Sequence, residues 1–360
     1  MSVATGLSAG PAANLDLVTL AVQEAMERAA FDHVNSVLLF LTPEFAAAPQ
    51  PALLAAAKAA ECTQIVGCTA AGIFTESDWV LDSPAAAAMV FGDDVRLGPA
   101  SQAGEDDLIL SLTAPHCLNT SWLNLPGHRF GAVSGDATGQ GPYKVWSGGK
   151  LSEKGRSESI VRGARGMVGV SQGALALCPP KPVTRQKDHD VLALEGQSAL
   201  SSLELCLPPE MAHRGRIPLH LLMAGFAIGD PATAIAEGRY RLVPIVSAND
   251  DGSVTLSLKP AEGQVLFWAL REPAAAERDM HQLLAQLRSR LGSAPDFALV
   301  FPCMGRSPYF YGGVDRDLEA LKAEFPDMPF IGFYGNGEIA PFHRSNELFQ
   351  YSTVVGLFHV

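Results

Sequence analysis

The chain has 360 residues, enough for about two domains of ordinary size and for a core that needs no disulfide staples. Charged residues make up 18% and the hydrophobic set 48%, with 34 Gly and 25 Pro, a composition that fits packed, loop-rich globular proteins and excludes disordered or coiled-coil ones. Twenty-six basic residues against 38 acidic ones give a net charge of −12; with no Lys/Arg cluster, this argues against nucleic acid and anionic membrane as partners.

The opening residues lack a basic n-region and reach Asp16 before any long apolar stretch, which argues against a secretory signal. The spacing of Leu15, Val18, Val22, Met26 and Ala29 after Asn14, a residue suited to an N-cap, predicts an amphipathic helix. Strands are predicted at 37–41, 65–68 and 86–91, with an alanine-rich helix at 51–61 between the first two. The glycine-rich stretch 127–154 reads as strands joined by tight turns, with Gly148-Gly149 as a hairpin signal. A strand at 166–170 follows, then the Pro179-Pro180 break and a short helix at 198–205. The second half is predicted to hold strands at 219–226, 241–246, 253–258 and 265–270, with a hairpin turn at 249–252. A helix starting near Pro273 carries the stripe Met280, Leu283, Leu284, Leu287 and Leu291, and strands at 297–301, 330–334 and 354–358 with a helix at 315–325 finish the chain. The longest apolar segment, 219–228, is short of the roughly 18 residues that span a bilayer.

An internal echo aligns Ile65-Val66-Gly67-Cys68-Thr69-Ala70-Ala71-Gly72 with Phe330-Ile331-Gly332-Phe333-Tyr334-Gly335-Asn336-Gly337. Each copy is preceded by helix, strand and helix and followed by a strand, so we read an ancient duplication. The fold class that follows is α/β (α+β): two related halves with mixed sheets in a layered sandwich under outer helices. The domain organisation is a lead-in over 1–30 and two domains over 31–195 and 196–360.

Several motifs invite chemistry. Gly169-Val170-Ser171-Gln172-Gly173 fits GxSxG, but Pro179-Pro180 follows too soon for the helix of a nucleophile elbow. Gly335-Asn336-Gly337-Glu338-Ile339-Ala340 fits GxGxxA, yet Pro341 follows at once, which argues against a dinucleotide. The six cysteines (Cys62, Cys68, Cys117, Cys178, Cys206, Cys303) form no CxxC pair, the histidines form no HExxH, and Asp188-His189-Asp190 lies in a polar connection; neither metal nor cofactor is expected, and the thiols are expected reduced. Cys303-Met304-Gly305-Arg306 and Tyr334-Gly335-Asn336-Gly337-Glu338 both sit just past predicted strand ends, where layered α/β proteins place ligands. Arg306 offers a fork for a carboxylate and Glu338 an acceptor for an ammonium or hydroxyl group; the alternative is an Arg306–Glu338 structural ion pair. Cys303 and Cys68 could also act as nucleophiles with His343 as base, although buried inert cysteine is the commoner fate.

These segments resemble the FIST family, named for F-box and intracellular signal transduction proteins, over nearly the whole chain. IVGCTAAG from Ile65 resembles its hydrophobic-G-C-[ST]-T-A-G segment, SQGALALCPPKPVT from Ser171 and LALEGQSAL from Leu192 its central runs, and FALVFPCMGRS from Phe297 its F-x-C-x-G-R-G segment. PFIGFYGNGEIAP from Pro329 looks like its I-G-F-x-x-x-G-E-I segment, and YSTVVGLF its closing strand. Ala70 stands where the family often has Thr, Ile73 where Glu is usual, Ser307 for a glycine and Asn336 for an aromatic. The resemblance implies a cytoplasmic small-molecule sensor, its ligand an amino acid or related carboxylate, acting through a separate signalling protein. The ligand-binding set is Arg306, Glu338, Gly335, Asn336, Gly337, Cys303, His343, Gly67, Cys68, Thr69 and Gly72. The rival readings are a hydrolase or transferase using Cys303 or Ser171, and a ligand-free scaffold.

Overall fold

The computed structural model describes residues 2–136, 138–212, 217–343 and 345–360. It separates into two compact units, one formed by the chain up to Ser171 together with Met280–Val360, the other by Gln172–Asp279. This division differs from the halves 31–195 and 196–360. The reason is strand pairing: Arg165–Ser171 lies antiparallel to Thr353–His359, so residues 172–279 are an insertion and Pro179-Pro180 falls inside it.

The larger unit consists of three six-stranded mixed sheets around one apolar core, and all three follow one plan. In the first, Val34–Leu41 lies parallel to Ile65–Thr69 and antiparallel to Ala85–Gly92, which carries the outer strand Val3–Ala9. In the second, Leu108–Thr113 lies parallel to His128–Val133 and antiparallel to Arg156–Arg162, with Arg96–Pro99 outside. In the third, Phe297–Pro302 lies parallel to Phe330–Phe333 and antiparallel to Thr353–His359, with Arg165–Ser171 outside. Each repeat also hands a hairpin to a neighbouring sheet. Gly72–Thr75 with Trp79–Leu81 completes the third sheet, Val145–Ser147 with Lys150–Leu151 the first, and Glu338–Phe342 with Ser345–Phe349 the second.

The register within the parallel pairs is the same in all three repeats. Gly67 lies opposite Leu39, Gly131 opposite Ser111 and Gly332 opposite Val300. A Cβ at these glycines would stand 1.7, 2.2 and 1.7 Å from the facing carbonyl oxygen, so only glycine lets the strands approach this closely. The echo between Gly67 and Gly332 therefore has a structural cause, and Gly131 adds a third copy that the sequence conceals.

Alternation along the strands builds the shared core. Leu38 and Phe40, Leu110 and Leu112, and Leu299 and Phe301 all point inward, and the Phe40 ring meets that of Phe333 at 4.8 Å between centroids. Helix Leu15–Arg28, capped by Asn14, whose side chain accepts from the Asp16 amide at 3.1 Å, covers the first sheet together with Gln50–Ala60. Helix Pro273–Leu291 lays the stripe from Met280 to Leu291 over the third sheet beside Arg316–Glu324. The second repeat carries only the turn Pro115–Cys117 and the helix Thr120–Leu123 in the corresponding connection. The strand Val3–Ala9 lies in the segment read as a lead-in to the first helix; its short, small-residue run has little apolar signal.

The smaller unit is an antiparallel barrel. Its ring runs Val265–Arg271, Lys181–Lys187, Asp190–Leu194, Val254–Leu256, Tyr240–Ala248 and Leu222–Ala227, and the last strand pairs back with the first. Helix Ala199–Cys206 inserts Ala199 and Leu203 into the barrel core.

Candidate functional site

The two bends singled out in the sequence are neighbours. Cys303 and Gly335 form a parallel bridge beyond the paired strands, the Met304 amide donates to the Gly335 carbonyl at 2.9 Å, and the Gly335 amide donates to Pro302 at 2.8 Å. They do not, however, present an Arg306–Glu338 pair to a hollow. Arg306 is 1% exposed, and its partner is Asp317, reached by Nη2 to Oδ1 and by Nε to Oδ2, each at 2.8 Å. Nε also donates to the Tyr311 hydroxyl at 3.0 Å and Nη1 to the Ser171 carbonyl at 3.0 Å. The guanidinium is thus spent on clamping its own fold, and the expectation that it holds a ligand's anionic group is corrected. Sequence reading missed Asp317 because it sits in the first turn of Arg316–Glu324, where an acidic residue reads as ordinary helix chemistry.

Around this ion pair lies a continuous buried polar network. The Tyr311 hydroxyl donates to Asp317 Oδ1 at 2.9 Å and the Thr353 hydroxyl to Asp317 Oδ2 at 2.8 Å. Asp315 caps the same helix by accepting from the Leu318 amide at 3.0 Å and takes the Tyr334 hydroxyl at 2.5 Å. Burial, helped by the Asp317 charge, pushes the Asp315 carboxyl up to about 7.

Glu338 is fully buried and separate from this clamp. Its Oε2 accepts from the Ser352 hydroxyl at 2.7 Å and the Ser352 amide at 3.4 Å, whereas Oε1 has no partner of hydrogen-bonding geometry among the described residues. Burial pushes the carboxyl up to about 8, against the pull of Ser352, the adjacent Cys303 thiol and the more distant Arg306 charge. Burial thus favours the neutral carboxylic acid form of Glu338. Burial and then the Glu338 charge push the Cys303 thiol far up, so it too stays protonated.

The threefold plan supplies an internal control for this corner. The amides of Tyr334, Thr69 and Val133 donate to the carbonyls of Gly72, Lys144 and Gly337 at 3.0, 2.9 and 2.9 Å, which makes Ile73, Val145 and Glu338 equivalent. Likewise the Cys303, Thr42 and Ala114 amides donate to Ser352, Ala85 and Gly155 at 2.8, 3.1 and 2.8 Å. Where the third repeat places Glu338, Ser352 and Cys303, the first has Ile73, Ala85 and Thr42 and the second Val145, Gly155 and Ala114. The fold is satisfied there by apolar or small side chains twice. A buried acid at the third corner is not required by the backbone.

The remaining candidates divide. Gly335 and Gly337 are buried and Asn336 is exposed; its amide donates to Val133 at 2.9 Å, and the bend lies over the Glu338 corner. Thr69 and Gly72 occupy the equivalent bend of the first repeat: the Thr69 hydroxyl accepts from the Lys144 amide at 3.1 Å and its carbonyl from the Ser134 hydroxyl at 2.6 Å. Gly67 serves strand packing, and Cys68 is buried in the shared core, its pKa pushed well up by that burial. His343 is not part of the corner. It lies five residues from Glu338 along the hairpin, roughly 17 Å at the rise of an extended strand, and lines a separate groove of about 370 Å³ with His128, Asn346 and Glu105.

The GxSxG segment ends the strand Arg165–Ser171 and is followed by another strand, Ala174–Ala176, so Ser171 has no elbow helix. Glu338–Phe342 follows the GxGxxA glycines as a strand, which removes the pyrophosphate-binding helix. Asp188-His189-Asp190 is a hairpin turn, and among the described residues no group of three or more His, Cys, Asp or Glu side chains is placed to hold a metal ion. No helix among them is long and apolar enough to cross a membrane.

Comparison with known proteins places this geometry in a context. The chain is 25% identical to the uncharacterised protein Mb0898c of Mycobacterium bovis over 319 residues, 82% of either chain. It is also 25% identical to the uncharacterised protein Rv0628c of Mycobacterium tuberculosis over 338 residues, 85% of this chain and 86% of that one. Residues 203–341, which hold Cys303, Arg306, Asp317 and Glu338, match the FIST C domain. The chain therefore carries a match to the FIST C domain, consistent with the family that its motifs resemble.

Proposed function

We propose that the protein is a small-ligand sensor that acts through a separate signalling partner, and that its ligand engages the Glu338–Ser352–Cys303 corner beneath the bend at 335–337. The FIST C domain supports the sensory class. One observation carries the assignment of the site: of these three equivalent corners, only this one holds a buried acid, and among the described residues one oxygen of that acid has no partner of hydrogen-bonding geometry beyond the adjacent Cys303 thiol. A neutral Glu338 offers a donor and an acceptor, which suits the carboxyl, amide or hydroxyl groups of an amino acid or related carboxylate. Arg306 serves this reading by fixing the strand ends on which the corner is built. The ligand's path runs past exposed Asn336 and half-exposed Met304 and Gly305. Binding over catalysis is supported by the protonated state of Cys303 and by the burial of Ser171, whose carbonyl is held by Arg306.

A thermal-shift screen against amino acids and small carboxylates tests this. A ligand at 100 times its dissociation constant is expected to add about 2.7 kcal/mol and raise the unfolding midpoint by several degrees. Glu338→Ile, which copies Ile73, should fold normally and lose the shift. A shift that survives in Glu338→Ile removes the corner from the reading, and a wild-type chain unmoved by the whole panel removes the amino-acid class. The pH dependence of a positive hit identifies the group bound, since an ammonium draws the proton off Glu338 and a carboxylate retains it.

A further inference from the structure

The barrel of the smaller unit brings together two thiols that stand 28 residues apart in sequence, Cys178 and Cys206. Cys178 follows the strand Ala174–Ala176, which pairs with the wall strand Val265–Arg271. Its Sγ accepts from the Trp268 amide at 3.4 Å. The Trp268 indole, fully buried, donates to the Ser202 hydroxyl at 3.3 Å on the inserted helix. Cys206 is the last residue of that helix, one turn beyond Ser202 and on the same face. Both sulfurs pack on the same apolar cluster, both residues are half-buried and both thiols are free. The Cys206 thiol lies close enough to Cys178 to add to the burial that pushes the Cys178 thiol up to about 11.

We propose that Cys178 and Cys206 are a reversible dithiol–disulfide pair, and that oxidation ties the end of the inserted helix to the barrel wall. With a small-molecule disulfide RSSR as oxidant, the thiolate of one cysteine attacks a sulfur of RSSR, the S–S bond breaks and RS⁻ leaves. The second cysteine, as thiolate, then attacks the protein sulfur of the mixed disulfide and expels the other RS⁻. Two thiol protons end on two RSH, and the two electrons that the dithiol loses on becoming a disulfide reduce RSSR to those two thiols. The raised pKa of Cys178 leaves little thiolate at neutral pH, so the exchange runs faster as pH rises toward 9. The four other cysteines include Cys62, Cys68 and Cys303, all buried.

The test uses the full-length chain, oxidised glutathione as the probe, and alkylation with intact-mass and peptide analysis. The expected result is a chain that loses two alkylatable thiols without retaining glutathione at the pair, yields a Cys178–Cys206 cross-linked peptide, and regains both thiols on reduction. Cys178→Ser should retain a glutathione adduct at Cys206, and Cys206→Ser one at Cys178. A stable glutathione adduct on either cysteine of the wild-type chain, or a disulfide that joins either of them to Cys117, overturns the proposal. So does a wild-type pair that stays fully alkylatable after prolonged exposure at pH 9.

Discussion

Replacing Asp317 with alanine is expected to destabilise the protein by about 3–5 kcal/mol, read as a fall in the urea midpoint at unchanged slope. The carboxylate accepts three hydrogen bonds, one each from Arg306 Nη2, Tyr311 and Thr353, has Arg306 Nε as a further ion-pair contact at 2.8 Å, and is fully buried. Its removal leaves a charged guanidinium that is 1% exposed and has lost the Asp317 carboxylate, and desolvation of that charge is the dominant loss. Asp317→Asn, which preserves shape but not charge, should fall between wild type and Asp317→Ala. The double change Arg306→Met with Asp317→Leu should recover most of the loss, because a well-packed apolar pair replaces a buried ion pair at little net cost. A single Asp317→Ala that loses less than about 1 kcal/mol would mean that water reaches Arg306 and that the clamp is not what holds the strand ends.

That clamp shows where the chain's meaning was and was not legible. The continuous apolar run at 37–41 and the alanine-rich segment after Pro51 gave a buried strand and a helix, and the observed elements are Val34–Leu41 and Gln50–Ala60. Gly148-Gly149 and the turn at 249–252 join paired strands as their turn chemistry predicts. Local signals of this kind need only neighbours in sequence. The Gly67 and Gly332 echo was legible because both copies kept two helices around their strands. Gly131 was not, because its repeat retains only Pro115–Cys117 and Thr120–Leu123 between the same two strands and is surrounded by other glycines.

Nonlocal partners were legible only in part. The adjacency of the Cys303–Arg306 and Tyr334–Glu338 bends followed from parallel strand order, and the structure has it. Which acid pairs with Arg306 depends on how helix Arg316–Glu324 packs over its sheet, and the chain between Arg306 and Asp317, eleven positions apart, carries no signal for that. The same holds for the hairpin exchange. Glu338 lies opposite Ala132, in a sheet built by the second repeat, and no periodicity in the segment after Pro329 points there.

Replacing Glu338 with glutamine is expected to abolish much of the protein's loss of stability between pH 4.5 and about 8. Glu338 is raised from an unfolded-state value of 4.5 to about 8, first by burial. Below pH 4.5 the group is protonated in both states and its neutral form suits the corner. As pH rises, the unfolded chain releases the proton while the folded chain keeps it, so the folded state binds more protons and stability falls until the folded pKa is passed. Glutamine copies the neutral acid and has nothing to release. The two proteins should therefore unfold at nearly the same urea concentration at pH 4.5 and diverge steadily, with Glu338→Gln ahead by about 4 kcal/mol at pH 8.5. Asp315, raised to about 7, adds a decline of the same sign to both proteins and cancels in the difference. Midpoints that stay parallel across the range would show that Glu338 is ionised in the folded state at neutral pH, and with that the neutral donor on which the proposed ligand corner depends would be gone.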